Sequence, residues 1–301
     1  HTHATDINNS GGSVNEKEFR AMLVKSPGNK PQRIVILANL REEIDNVNNN
    51  FLTNMTKEEN LKEITFFSSD VWNTTSPDDF RPLPMWGESE STFVLTDNTT
   101  SDDIGKIYMI RSIARVDVGI KINANGDPEG LGDLFKISDI KLYNTNSSGT
   151  AAPHMANYDN QNKKVTAPSL PESVTPNPVL GHELTPPGDG LMRSIYISEA
   201  DNIQVGAHED ITCLVIGGYY NYATNKSWYR IDFLDKSVND GTLLNILRNH
   251  RYRVNITSVD GPGYDDEDTA FRSKSVNMNT EIVAWDEGDL NEIVFDGQYQ
   301  L

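Results

Sequence analysis

This chain lacks most of the features that announce a function. It has one cysteine in 301 residues, so no disulfide can form within it. That residue, Cys213, sits in the apolar run Ile211-Thr212-Cys213-Leu214-Val215-Ile216. The run reads as a buried strand, and an inert core thiol is expected. No run of about 18 apolar residues occurs, so no helix is expected to span a bilayer. Positive charge is scarce. The 26 lysines and arginines stand against 44 aspartates and glutamates, a formal net charge of −18. Nucleic acid and anionic membrane surfaces would repel that charge, which excludes both as partners. A signal peptide is also missing. The opening His1-Thr2-His3-Ala4-Thr5-Asp6 has neither an initiator methionine nor an apolar segment. Upstream sequence is therefore expected to have preceded it.

Catalytic constellations are equally scarce. The six histidines form no H-E-x-x-H, and His182-Glu183 lacks its second histidine. There is no G-x-S-x-G, no Walker loop and no G-x-G-x-x-G. The segment Asn123-Ala124-Asn125-Gly126-Asp127-Pro128 begins like a calcium loop. It then places proline where the loop needs glycine and has no closing glutamate. Asp265-Asp266-Glu267-Asp268 reads as a solvated acidic loop. The expectation is no enzyme, no metal and no cofactor.

What the sequence does have is many short strands. Residues 1–18 read as loop. Phe19 to Lys25 and Arg33 to Leu40 flank the turn cluster Ser26-Pro27-Gly28-Asn29-Lys30-Pro31, a hairpin signal. Ile44, Val47 and Phe51 fall at helical spacing over 41–52. Thr56-Lys57-Glu58-Glu59 is a capping box that starts a second short helix. Both helices are expected in a first domain. From Ile113 to Ile120, Ala114, Val116, Val118 and Ile120 alternate with Ile113, Arg115, Asp117 and Gly119. Tyr252, Val254 and Ile256 alternate likewise with Arg251, Arg253 and Asn255.

The break at Asn125 to Gly130 marks a candidate boundary near 124–134, between domains 1–128 and 129–301. Residues 144–190, rich in proline, asparagine, serine and threonine, read as a long excursion. Further strands follow to Leu301. The pattern indicates an all-β protein of β-sandwiches with a few short helices. Tyr219, Tyr220, Tyr222, Trp228 and Tyr229 could stack on sugars. Consecutive tyrosines on a strand also read simply as one ring in the core and one across a neighbouring strand.

Three segments in order resemble the fimbrillin (type V pilin) family of the Bacteroidales. Leu83-Pro84-Met85-Trp86-Gly87-Glu88, followed by Thr92-Phe93-Val94-Leu95, is similar to the family's P-M-x-G-E stretch. Ile110 to Val118 is similar to its R-x-x-A-R-V-x-V strand, and Phe135 to Asn144 follows after a loop. Leu247-Arg248-Asn249-His250-Arg251-Tyr252-Arg253-Val254-Asn255-Ile256 is similar to L-R-N-x-x-Y-x-V-x-I. Val283-Ala284-Trp285 and Val294-Phe295-Asp296-Gly297-Gln298-Tyr299 complete the series.

The resemblance implies two transthyretin-like β-sandwich domains and export as a lipoprotein through the outer membrane. It also implies a cell-surface fimbria built by donor-strand exchange with other pilin subunits, in a homo- or hetero-polymer. The membrane would be reached only through a lipid anchor upstream of His1. The family's opening strand is not found in residues 1–18, so the first strand is expected to be missing. Ile293, Val294, Phe295, Tyr299 and Leu301 are then the expected polymerisation residues. Asp268-Thr269-Ala270 resembles an O-glycosylation signal of the same bacteria, at Thr269. The alternative is a tip or accessory adhesin that binds a host or bacterial surface ligand on the same scaffold.

Overall fold

The computed structural model of the chain describes residues 5–9, 17–20, 23, 25–47, 56–68, 82–98, 106–123, 125, 131, 134–188, 193–236 and 241–286. Its principal elements, in chain order, begin with β1 (Thr5–Asn9), β2 (Lys17–Arg20), α1 (Arg41–Val47), α2 (Lys57–Lys62) and β3 (Thr65–Phe67). Then come β4 (Ala114–Ile120), β5 (Phe135–Tyr143), β6 (Ser148–Thr150), β7 (Leu180–Gly188) and β8 (Arg193–Ile197). The series ends with β9 (Cys213–Tyr220), β10 (Ser227–Asp232), β11 (His250–Val259), α3 (Glu267–Arg272) and β12 (Met278–Asp286). The protein is all-β with a few short helices.

Two compact units divide the chain. One gathers described residues of 1–36 and 87–109, the other those of 37–86 and 110–288. In the first unit, β1 pairs antiparallel with β2, so the expected loop over 1–18 is corrected to include a strand. Strands as short and as polar as Thr5–Asn9 and Lys17–Arg20 carry too few apolar residues to announce such a pair. The turn cluster at 26–31 closes back on 93–95. Ser26 N–H donates to Leu95 O at 3.0 Å, and Gln32 and Phe93 form a two-residue bridge.

The second unit is a sandwich of two four-stranded sheets. One runs β7-β5-β9-β10, the other β8-β4-β11-β12. All neighbours are antiparallel except β4 and β11, which run parallel from Arg115 beside Arg251 to Ile120 beside Ile256. Period-two alternation decides which side of each strand turns inward. Ala114, Val116, Val118 and Ile120 of β4 enter the core, as do Tyr252, Val254 and Ile256 of β11. Phe135, Ile137, Ile140 and Leu142 meet them from β5, and Leu214 and Ile216 from β9. The alternation read in β4 and β11 holds.

The boundary expected near 124–134 falls between β4 and β5, which line opposite sheets of one sandwich. The helices are relocated. α1 and α2 belong to the unit that holds the sandwich, where Leu40, Ile64, Phe66, Ile113 and Ala151 form a second apolar cluster. The capping box is present as read: Glu59 N–H donates to Thr56 Oγ1, and Thr56 N–H donates to Glu59 Oε2. The excursion after residue 144 is built into the fold. β6 pairs with β3, and Ala151, Ala152, Tyr158, Val165 and Leu184 are buried.

Two successive glycines in β9 show how tightly the faces are filled. A Cβ on Gly218 would lie 2.4 Å from Phe135 Cζ on the core side. One on Gly217 would lie 2.7 Å from Trp228 Cζ3 on the outer side. Neither position tolerates a side chain, because an aromatic ring already occupies the space.

Candidate functional site

The L-R-N-x-x-Y segment ties the start of β11 to the rest of its unit. The Arg248 side chain is fully buried. Its Nε donates to Glu199 Oε2 at 2.9 Å, and its Nη2 donates to the same oxygen at 2.7 Å. Nη2 also reaches Thr150 Oγ1 at 2.7 Å, and Nη1 reaches Ala151 O at 3.3 Å. Glu199 accepts in addition from the Arg248 and Ser169 backbone N–H groups, each at 3.0 Å. A buried carboxylate is tolerable only with this degree of satisfaction. Asn249, at φ +58°, donates its N–H to Ile113 O and accepts from Arg111 N–H. The Tyr252 hydroxyl accepts from Leu247 N–H at 2.8 Å and donates to Asn245 O at 2.7 Å. Every polar residue of this motif is thus spent on structure. His154 lies close to the knot, and burial, followed by the nearby Lys62 and Arg248 cations, lowers its pKa.

The outer face of the β7-β5-β9-β10 sheet divides in two. At one end α3 lies on it. Phe271 stacks on Tyr143 with centroids 4.2 Å apart. The buried Arg230 guanidinium lies under the Phe271 ring and donates to Phe271 O, to His208 O and to Asp232. Glu267 accepts from Lys141 Nζ and from the Tyr143 hydroxyl. Burial, reinforced by Glu267, raises the Tyr143 pKa. Asp266 caps α3, and Asp268 pairs with Arg272. The acidic run at 265–268 is therefore partly engaged, rather than a free loop.

Cys213 and Asp232 are cross-strand partners on this face, and His208 Nε2 is 3.1 Å from Asp232 Oδ2. Thiol, imidazole and carboxylate are neighbours in the fold, but the thiol is buried and burial pushes its pKa up to about 12. A thiol held neutral is no nucleophile, so the core-cysteine expectation stands. Among the described residues, no group of three or more His, Cys, Asp or Glu could hold a metal ion.

The other end of the face is uncovered by α3. Register places Glu183, Asp139, Gly217 and Trp228 side by side across the four strands. The Trp228 ring lies over Gly217, with Lys141 and Lys226 Nζ at 5.2 and 5.8 Å from its centroid. Lys226 Nζ donates to Asp139 Oδ2 at 2.7 Å, and Ser138 Oγ reaches the same oxygen at 2.5 Å. The hydrogen bond to Asp139 raises the Lys226 pKa. Of the aromatics noted in the sequence, Tyr229 is core, Tyr219, Tyr220 and Trp228 are half-buried, and Tyr222 is 79% exposed.

The expected polymerisation residues Ile293, Val294, Phe295, Tyr299 and Leu301 lie outside the described residues. Thr269 is exposed in the first turn of α3, and its hydroxyl donates to Asp266 Oδ2 at 2.7 Å.

No family model and no curated protein matches the chain. Solved structures do. A protein of Parabacteroides distasonis, provisionally described as a cell adhesion protein, matches with a TM-score of 0.52 at 14% identity. The match covers 94% of this chain and 89% of that one. A protein of Bacteroides eggerthii with the same description matches with a TM-score of 0.51 at 13% identity, over 92% and 86% of the two chains. The tip fimbrial protein Mfa3 of Porphyromonas gingivalis aligns over 93% and 92% at 12% identity, with a TM-score of 0.46. The fold is therefore shared with the first two structures, both from the Bacteroidales, and it is the β-rich kind that the sequence resemblance implied.

Proposed function

We propose that the chain is a non-enzymatic subunit of a bacterial surface fimbria that supports adhesion. One observation carries this reading. Two of the stretches that resemble fimbrillins, 110–118 with 135–144 and 247–256, become strands and the buried knot of the sandwich unit, and the fold recurs in two proteins described as adhesion proteins. Arg248, Asn249 and Tyr252 of the L-R-N-x-x-Y motif are all bonded within the fold, and the thiol is kept neutral, so the chemistry present suits a scaffold.

In the finer reading, subunits reach the cell surface as lipoproteins across the outer membrane and polymerise by donor-strand exchange. Ile293, Val294, Phe295, Tyr299 and Leu301 would seat in a neighbouring pilin subunit. Strand addition satisfies unpaired backbone groups at an edge and buries apolar side chains. Thr269, exposed on α3, is the position proposed for O-glycan attachment. Loss of a discrete mass excess from native protein in Thr269→Val would support it.

Electron microscopy with a labelled antibody to this chain on native cells tests the main reading. Label along filaments supports a stalk subunit. Label at filament ends supports the second reading, a tip adhesin, which the aromatic patch around Trp228 favours. Absence of label from any filament overturns both. Deletion of residues 290–301 should abolish filaments and leave a soluble subunit; normal polymerisation of that variant overturns strand exchange.

A further inference from the structure

The hairpin between β9 and β10 contains a residue that its backbone does not favour. Asn221 and Tyr222 have φ values of +49° and +59°, and Ala223 N–H donates to Tyr220 O at 3.0 Å. Positive φ at both central residues is the pattern of a type I′ turn, whose usual sequence is Asn-Gly. Asparagine adopts this conformation readily. A bulky side chain at the second position is strained, and glycine would relieve it. Tyr222 is nevertheless there, with 79% of its surface in solvent. Burial therefore returns little for the strain. An unfavourable residue whose side chain is left in water is a candidate contact residue.

The chain leads from that turn to a second observation. The loop ends at Lys226, which is fixed on Asp139 and lies in the electrostatic neighbourhood of Tyr219 and Glu183. Next to it the half-buried Trp228 ring lies over Gly217. Tyr219 stands beside Lys136 on the same face. The end of the sheet left open by α3 therefore carries two half-buried aromatic rings. Around them are polar side chains whose positions are set by one another.

The charges there are matched. Lys136 and Lys226 stand against Asp139 and Glu183, two of each sign. On a chain of net charge −18, such a balanced patch favours a neutral ligand over a charged one. A pyranose ring offers an apolar C–H face for aromatic rings, and hydroxyls that both donate to carboxylates and accept from ammonium groups.

We propose that this end of the sheet, with Tyr222 at its hairpin, binds a neutral saccharide. The site rests on the adhesion reading above and gives it a ligand class. Trp228 and Tyr219 form its floor, Lys226 and Glu183 meet the hydroxyls, and Tyr222 adds an exposed ring at the hairpin.

The intact chain should be titrated with neutral manno-, galacto- and gluco-oligosaccharides, with tryptophan fluorescence as the readout. Sialylated and sulfated glycans on the same array serve as the anionic arm. A saturable response to a neutral oligosaccharide is expected. Tyr222→Gly should weaken it by about tenfold or more while leaving the melting temperature equal or higher, because glycine suits the turn. Trp228→Phe, which keeps a ring over Gly217, should weaken binding with an unchanged fold by circular dichroism. The proposal is overturned if no neutral oligosaccharide binds, if only anionic glycans bind, or if Tyr222→Gly binds as well as the parent. It is also overturned if Tyr222→Gly melts earlier, which would make the tyrosine structural. Loss of saccharide binding with filaments still labelled by antibody removes this site alone and leaves the fimbrial reading intact.

Discussion

Two clusters of opposite charge in the sandwich unit look alike on paper and behave differently. Arg248 and Glu199 form one, Lys226 and Asp139 the other, and in both the acid is buried under a cation at 2.7 Å. The Arg248 guanidinium is fully buried and binds several segments at once, whereas the Lys226 side chain keeps 36% of its surface in water and binds one residue. The difference separates fastening from presentation. A fully desolvated pair cannot be opened without leaving a charge uncompensated in the interior. A pair at the rim is screened by solvent, contributes little to stability and keeps its polar atoms within reach of a ligand.

The largest expected effect falls on the buried side. Arg248→Met should destabilise the unit by about 3–5 kcal/mol, since Glu199 would remain buried and unpaired. The midpoint of urea denaturation measures it, and the double variant Arg248→Met/Glu199→Gln should recover part of the loss. Tyr252→Phe comes next. It removes only a hydroxyl, yet strands Leu247 N–H and Asn245 O, and should lower stability by about 1–3 kcal/mol in the same assay. Lys226→Met should cost less than Arg248→Met, because the Lys226 end of its pair is solvated and Ser138 Oγ remains bonded to Asp139. If it matched Arg248→Met, the contrast between the clusters would fail.

The smallest effect is a pH dependence. The folded pKa of His154 is lowered, so the neutral ring is the form that fits the fold. Its contribution is present above the unfolded value of about 6.5 and is lost as pH falls through the lower folded value. His154→Gln should flatten the slope of stability against pH between about 6.5 and the lower folded value, and leave stability at pH 8 nearly unchanged.

Several of these features could be read before any coordinates. The alternation in 114–120 and 252–256 named the core residues correctly, because a strand has only two faces and one of them must be apolar. The capping box at Thr56 was visible because its partners lie three residues apart. The burial of Cys213 followed from its apolar neighbours. The knot was not visible. Arg248 and Glu199 are 49 residues apart, and nothing in either local sequence names the other. The excursion after residue 144 was misread for a related reason: its small polar residues, such as Ser169 and Thr150, are buried by partners from distant segments. The strained tyrosine was hidden as well. Asn-Tyr carries no Asn-Gly signal, and only the backbone shows positive φ at both residues.

By itself the sequence determined the all-β class, the absence of a disulfide within the chain and the inward face of the main strands. Each follows from local periodicity or from simple counting, and neither depends on which strand lies beside which. Tertiary structure alone decided that β4 and β5 face each other across one core, that β4 pairs parallel with β11, and that Trp228 comes to rest over Gly217 beside two lysines. These arrangements join residues far apart in the chain. They are fixed by the burial of whole faces and by satisfaction of buried polar groups, which act between strands and leave no mark within a single one.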